Sequence, residues 1–256
     1  MEINKIYCEN NLDTMKRMPD NSVDLIVTSP PYNFNLRIHS GKYTKRSVNE
    51  VTKYNKAYSD NLGMQEYYEW QKECIEQMLR VCKNYVFYNI QMLTGNKVAL
   101  FKLMGYFAEN IKEVLIWDKV FAEPAISKGV LNSQYEYVIV FSKNKAISRM
   151  FEVCNFKRGT EANIIKIPKN MSNGNSKTHN ACFPEELPYW VINMFSNTND
   201  IIYDPFAGTG TTIRMAIILG RRWVGSEINA EYCRLIQDGI HLLLNNLFVQ
   251  DGKTEC

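Results

Sequence analysis

Short apolar runs rich in β-branched and aromatic residues alternate along the chain with longer stretches whose apolar positions recur every three or four residues. The runs at Val23–Thr28, Tyr85–Ile90, Glu113–Trp117, Tyr135–Phe141, Ile201–Asp204 and Arg222–Glu227 predict strands. VDLIV, NYVFYNI, EVLIW and EYVIVF are almost continuously apolar rather than alternating, as expected of strands covered on both faces in a mostly parallel sheet. Helices fit between them. In Gln65–Cys82, residues Trp70, Cys74, Ile75, Met78, Leu79 and Cys82 form one apolar stripe. Glu185–Phe195 follows Pro184, Thr211–Leu219 stops at Gly220, and Asn229–Leu247 follows the next strand. Strand and helix in alternation predict an α/β fold with short crossovers.

Two stretches break this pattern. Residues 33–64 and 143–178 are polar, with turn-forming runs such as NMSNGNSKTHN. They are also basic. Residues 37–57 hold six Lys/Arg against one acid, and residues 143–178 hold eight against two, although the whole chain carries only +3. The remainder is therefore acidic, and two basic segments on an acidic body outline a polyanion binder. Solvated loops with incidental lysines would give the same count. Other chemistry is narrowed by the remaining composition. The 45% hydrophobic and 22% charged content is that of a globular chain. No apolar run reaches membrane-spanning length, and MEINKIYCENN lacks the basic and apolar regions of a secretory signal. Seven cysteines without a CxxC pair, and His39, His179 and His241 far apart, predict reduced thiols and no metal site.

Two places carry candidate chemistry. Thr28-Ser29-Pro30-Pro31-Tyr32-Asn33 follows the strand VDLIV directly, so it sits where open α/β sheets place ligands, at a carboxyl end. Pro30 and Pro31 stiffen the backbone and cannot extend the ladder. A hydroxyl, a carbonyl and a tyrosine ring are thereby held on one corner, suited to an exocyclic amino group and a base to stack on. An isolated PPY is more often a turn with a surface tyrosine. The second place is Ile201–Thr212, IIYDPFAGTGTT: a strand ending in Asp204, a turn with Gly208 and Gly210, then a helix start at Thr211 and Thr212. Its N–H groups suit a carboxylate or phosphate. It lacks the Gly-Lys-Ser/Thr of a P-loop. The next strand ends in Glu227, the position from which an acid grips ribose hydroxyls in nucleoside-binding sheets.

Together these motifs resemble the β-group of amino-methylating DNA methyltransferases. TSPPYN is similar to the family's catalytic motif and DPFAGTGTT to its cofactor motif, DPFxGSGTT, in the permuted order that defines the group. The likeness extends through the lead-in IYCENNLDTMKRMPDNSVDLIV, WQKECIEQMLRVCKNYVFYNI, IWDK, YEYVIVFSK and HNACFPEELPYWVINMFS. Asn10 stands where the lead-in usually has Asp, and His179-Asn180-Ala181 replaces His-Pro-Ala.

The resemblance implies a Rossmann-like methyltransferase fold. A seven-stranded, mostly parallel sheet would carry helices on both faces, as a single catalytic domain over residues 1–256. It implies S-adenosylmethionine as cofactor, held by Asn10, Phe183, Asp204, Phe206, Gly208, Gly210, Thr211, Thr212 and Glu227. Core packing for Phe206 and helix capping for Thr211 are the structural alternatives. It implies catalysis by Ser29, Pro30, Pro31 and Tyr32 on a base flipped out of double-stranded DNA. Residues 143–178 would read the target, and 33–64 would close over DNA. Serine before PPY is commoner in the family's N4-cytosine enzymes, so cytosine N4 is the expected acceptor and adenine N6 the alternative. A cytoplasmic location in a prokaryotic or phage system follows. A homodimer and a cognate restriction endonuclease are compatible with it. A non-catalytic DNA-binding module that kept the fold, and an RNA or protein methyltransferase, are the rivals from other classes. Methylation at cytosine C5 is rejected, because it needs a thiolate nucleophile and no Pro-Cys motif exists.

Overall fold

The computed structural model of the protein describes residues 1–34, 36–39, 42–45, 60–123, 128–144, 148–168 and 184–251. Eight strands form one sheet in the order β1 (Lys5–Tyr7), β10 (Arg222–Ser226), β9 (Ile201–Asp204), β2 (Val23–Thr28), β5 (Cys82–Ile90), β7 (Ser133–Phe141), β6 (Ile111–Glu123), β8 (Ile164–Lys166). All run parallel except β7, which opposes both of its neighbours. The short hairpin β3 (Leu36–His39) and β4 (Lys42–Lys45) stands apart.

The continuous apolar strands have the consequence expected of them. On β2, Leu25 and Val27 join one core cluster with Leu187, Val191 and Ile192 of α4 (Glu186–Phe195), Ile213 of α5 (Thr211–Ile218) and Ile236 of α6 (Ala230–Asp251). Ile26, between them, joins the opposite cluster. There it meets Met15 of α1 (Asn11–Arg17), Met78 of α2 (Met64–Val81) and Leu100 of α3 (Lys97–Tyr106). Three helices thus cover each face. No helix among the described residues is long and apolar enough to cross a membrane.

The α/β class and every predicted strand and helix are present, β2 and β9 with the expected ends and the others with shifted ones. The sheet has eight strands against the seven expected, because β8 adds to its edge from within the stretch read as a polar insertion. Cys82, expected as the last residue of a helix, caps α2 and opens β5 with no loop between them. Asn229 precedes α6 rather than beginning it, and its side chain accepts from the Glu231 N–H as an N-cap. β1, α1 and α3 went unpredicted. The first two have three and seven residues. In α3, KVALFKLMGY scatters apolar residues around the helix and leaves no stripe.

The connections define where a ligand belongs. From β2 the chain crosses through α2 to β5 on one side, and from β9 it crosses through α5 to β10 on the other. Such a reversal opens a crevice outside the carboxyl ends of these two strands. The chain leaving β2 is clamped on that side. The Asn33 side-chain amide donates to the carbonyls of Leu62 and Gly95, at 2.9 and 2.8 Å. A Cβ on Gly95 would lie 2.1 Å from the Asn33 carbonyl oxygen and 2.9 Å from that of Leu36. Both obstacles are backbone, so Gly95→Ala should destabilise the protein by about 2 kcal/mol, within the range for overpacking. Urea unfolding would measure this; an unchanged midpoint would mean that the clamp is absent.

Candidate active site

The corner Ser29–Tyr32 is built from fixed backbone and a buried polar cluster. The Tyr67 hydroxyl of α2 donates to the Pro31 carbonyl at 2.7 Å, and the Asn96 amide donates to the Tyr32 carbonyl at 2.9 Å. Among the described residues no donor is bonded to the Pro30 carbonyl. Asn33 follows with φ +57, its N–H and that of Phe34 bonded to the two carboxylate oxygens of Asp60. The Tyr32 hydroxyl is the hub of the side chains. It lies 2.8 Å from Ser29 Oγ, donates to Glu136 Oε2 of β7 at 2.9 Å, and accepts from Asn89 Nδ2 of β5 at 2.6 Å. Asn89 Nδ2 also donates to Glu136 Oε2 at 2.8 Å. Lys119 of β6, 1% exposed, pairs with Glu136 Oε1 at 3.4 Å.

The second motif lies across the crevice. Thr28 Oγ1, the last side chain of β2, donates to Asp204 Oδ1, the last of β9, at 2.7 Å. The same oxygen accepts from the Phe206 N–H at 3.0 Å. Burial pushes the Asp204 carboxyl up to about 6, against the opposing pull of bonds from Thr28, Thr212 and the Phe206 N–H. Gly210, at φ +82, caps α5 with no side-chain bond, so the helix turns its first N–H groups toward the loop. A Cβ on Gly210 would lie 2.9 Å from Ile236 Cγ1, a second reason for glycine besides its φ. Glu227 holds the loop from β10. Its two carboxylate oxygens accept from the N–H groups of Gly208 and Asn229, both at 2.8 Å. Burial pushes its carboxyl above the ordinary glutamate value.

The predicted residues therefore fall into groups. Ser29, Pro30, Pro31 and Tyr32 share one corner, and Asp204, Gly208, Gly210 and Glu227 share the facing loop. Thr212 is buried, with its hydroxyl 3.4 Å from the Val27 carbonyl, so it ties the loop to β2 from within. Thr211 is the first helical residue and not the cap, which is Gly210. Phe206 is half-buried and meets Trp70 edge-on, with centroids 5.8 Å apart. Asn10 is exposed, and its side-chain oxygen caps α1 through the Leu12 N–H. Phe183, with His179-Asn180-Ala181, lies outside the described residues, as do 35, 40–41, 46–59, 145–147 and 169–178 of the basic segments. Sequence reasoning missed Glu136, Asn89, Lys119, Asp60 and Asn96. Asn89 in NYVFYNI and Glu136 in YEYVIVF did leave a signal, since each is a polar residue inside an otherwise apolar strand.

Asp204 generates a pH prediction. Unfolded, its carboxyl titrates near 3.8; folded, it holds its proton to about 6. Between those values the native state binds more protons, so this group's contribution falls as pH rises. Wild type should therefore lose on the order of 2 kcal/mol relative to Asp204→Asn between pH 4 and pH 7. Urea melts of both proteins at the two pH values would report it. A difference that does not change with pH would contradict the assignment.

Comparison with known proteins places the chain in a family. A DNA methylase family model, covering N6 and N4 amino-methylating enzymes, matches residues 23–238. The type II methyltransferase M.BglII of Bacillus subtilis is 26% identical, over 90% of this chain and 67% of that protein. The fold is similar to that of the PvuII DNA methyltransferase (cytosine-N4-specific), with a TM-score of 0.67, 20% identity, and coverage of 93% of this chain and 86% of the other. It is also similar to a DNA modification methylase of Thermus thermophilus, solved in complex with S-adenosyl-L-methionine. That TM-score is 0.61, with 21% identity, over 93% of this chain and 95% of the other. With the family model spanning both motifs and the sheet between them, the chain belongs to the N6/N4 DNA methylase family.

Proposed function

We propose that this DNA methylase transfers a methyl group from S-adenosylmethionine to the exocyclic amino group of a base flipped out of double-stranded DNA, cytosine N4 in the first place. The observation that carries the reading is the Thr28–Asp204 bond. It sets an amine-accepting corner and a Gly-rich, acid-flanked loop on adjacent strands of one crevice.

The residues fit the cofactor. The N–H end of α5, without a side-chain cap, suits the carboxylate of a methionine moiety. Each Glu227 oxygen has spent one lone pair on the backbone and keeps another for a ribose hydroxyl. When bound, S-adenosylmethionine supplies an electrophilic sulfonium methyl. The chain's own part is position and charge. Ser29 Oγ and the Pro30 carbonyl accept the two amino hydrogens of the base and draw the nitrogen toward tetrahedral geometry, which frees its lone pair. The Tyr32 ring stacks on the extruded base, offsetting part of the few kcal/mol that flipping costs. No strong base is needed, because the attacking nitrogen turns cationic as it takes the methyl group and then sheds a proton. Cys74 and Cys82 give no competing route. Burial pushes Cys74 and Cys82 up to about 12, so neither is a thiolate at neutral pH.

Serine at the head of the corner supports cytosine over adenine. Adenine N6 is the second reading, since the family spans both bases and one polar corner admits either amine. Residues 143–178 are proposed to read the target. Arg149, among their basic residues, is already paired with Glu113 and so counts least toward phosphate.

The test is nucleoside mass spectrometry after incubation with unmethylated duplex DNA and S-adenosylmethionine. N4-methylcytosine is expected, and Ser29→Ala should lower its yield by more than tenfold while leaving cofactor affinity within twofold. N6-methyladenine would reverse the choice of base. Methylation of RNA or protein alone would overturn the choice of acceptor. Cofactor binding without any methyl transfer would make the chain a silent DNA-binding module.

A further inference from the structure

The hydrogen-bond directions around Tyr32 are fixed by charge. A tyrosine hydroxyl has one proton, and at 2.9 Å it goes to Glu136 Oε2. Lys119, buried on the far side of the same carboxylate, donates to its other oxygen, Oε1, at 3.4 Å. Asn89 must then present its Nδ2 to both Glu136 and Tyr32. The reverse rotamer would set its carbonyl oxygen against the carboxylate. Every proton the Tyr32 hydroxyl receives comes from outside it, so the 2.8 Å contact with Ser29 has one possible sense: Ser29 donates and Tyr32 accepts. That leaves the lone pairs of Ser29 Oγ for a donor arriving in the crevice.

We infer that Glu136, held by Lys119 and Asn89, is a positioning residue that acts through the Tyr32 hydroxyl to make Ser29 an obligate hydrogen-bond acceptor. The inference rests on the proposed reading that Ser29 accepts an amino hydrogen of the target base. The device spans four strands: β2 carries the corner, while β5, β6 and β7 supply the amide, the ammonium and the carboxylate. An amino group brings only donors on the face it presents. A serine free to rotate would spend part of its time aiming its own proton at that amine. A serine locked as acceptor does not, so the gain belongs to kcat and not to DNA affinity.

A double-mutant cycle with Tyr32→Phe and Glu136→Gln tests this. Phe keeps the stacking ring and removes the hydroxyl that links Glu136 to Ser29. Each single variant should lower kcat about tenfold, with KM for DNA and the dissociation constant for S-adenosylmethionine within twofold of wild type. The double variant should be no slower than either single variant, because both cut the same chain. Losses that multiply to about a hundredfold would overturn the inference, as would a Glu136→Gln enzyme with unchanged kcat. Glu136→Gln leaves Lys119 buried and unpaired, so Lys119→Met with Glu136→Gln is run beside it in both backgrounds. It should show the same non-additivity, and a fully active Lys119→Met, Glu136→Gln protein would equally overturn the proposal. The wild-type reaction separates this failure from that of the functional reading. If wild type methylates no DNA, the reading falls; if it does and the cycle is additive, only the inference falls.

Discussion

The Thr28–Asp204 hydrogen bond joins side chains 176 positions apart in the chain, and the site depends on it. Each is the last residue of its strand, and the two strands are the adjacent pair at which the connections reverse direction. A crevice at such a point comes with the topology, but its two walls are separate pieces of backbone. The bond fixes one to the other directly beneath the place where the corner and the Gly-rich turn begin. Thr212 reinforces it from α5, reaching toward the Val27 carbonyl. Burial raises the cost of ionising Asp204, and that cost is tolerated because its carboxylate organises the Thr28 hydroxyl and the Phe206 N–H at once.

The two walls are rigid for different reasons. The Gly-rich loop is held by backbone N–H groups on acidic side chains, with Glu227 serving both Gly208 and Asn229. The corner is held by side chains on its carbonyls and by a charged cluster behind its hydroxyls. Pro30 and Pro31 remove conformational freedom; Tyr67, Asn96, Asn33 and Asp60 then consume the polar groups that would otherwise compete for a substrate. Those bonds leave out Ser29 Oγ and the Pro30 carbonyl, the two acceptors proposed for the base. An amino group needs that set. The shared carboxylate of Glu136 extends the same logic one layer deeper, since a buried ion pair is costly unless its position matters.

The sequence disclosed the scaffold and both motifs because they are local. Apolar runs such as VDLIV declare a strand buried on both faces, and IIYDPFAGTGTT declares strand, turn and helix in twelve consecutive positions. The elements that escaped are those whose stability is borrowed from neighbours. Three residues of β1 have no periodicity to read, and β8 exists because β6 offers it an edge. Site residues divide the same way. Ser29, Tyr32 and Glu227 lie within motifs. Glu136 and Lys119 are meaningful only once β7 and β6 are paired and set beside β5, which no spacing encodes. Asn10 shows a residue with a local duty as well, for its oxygen accepts from the Leu12 N–H at a helix start.

The central claim is that the bond between the two strand ends holds the Gly-rich loop and the corner in one working geometry. Thr28→Val tests it most directly, since it keeps the buried shape and deletes the hydroxyl. Methyl transfer to duplex DNA and S-adenosylmethionine affinity, measured on the same preparation, should both fall, with stability lower by about 1–3 kcal/mol for the lost buried partner. A Thr28→Val protein that melts, binds and methylates like wild type would contradict the account.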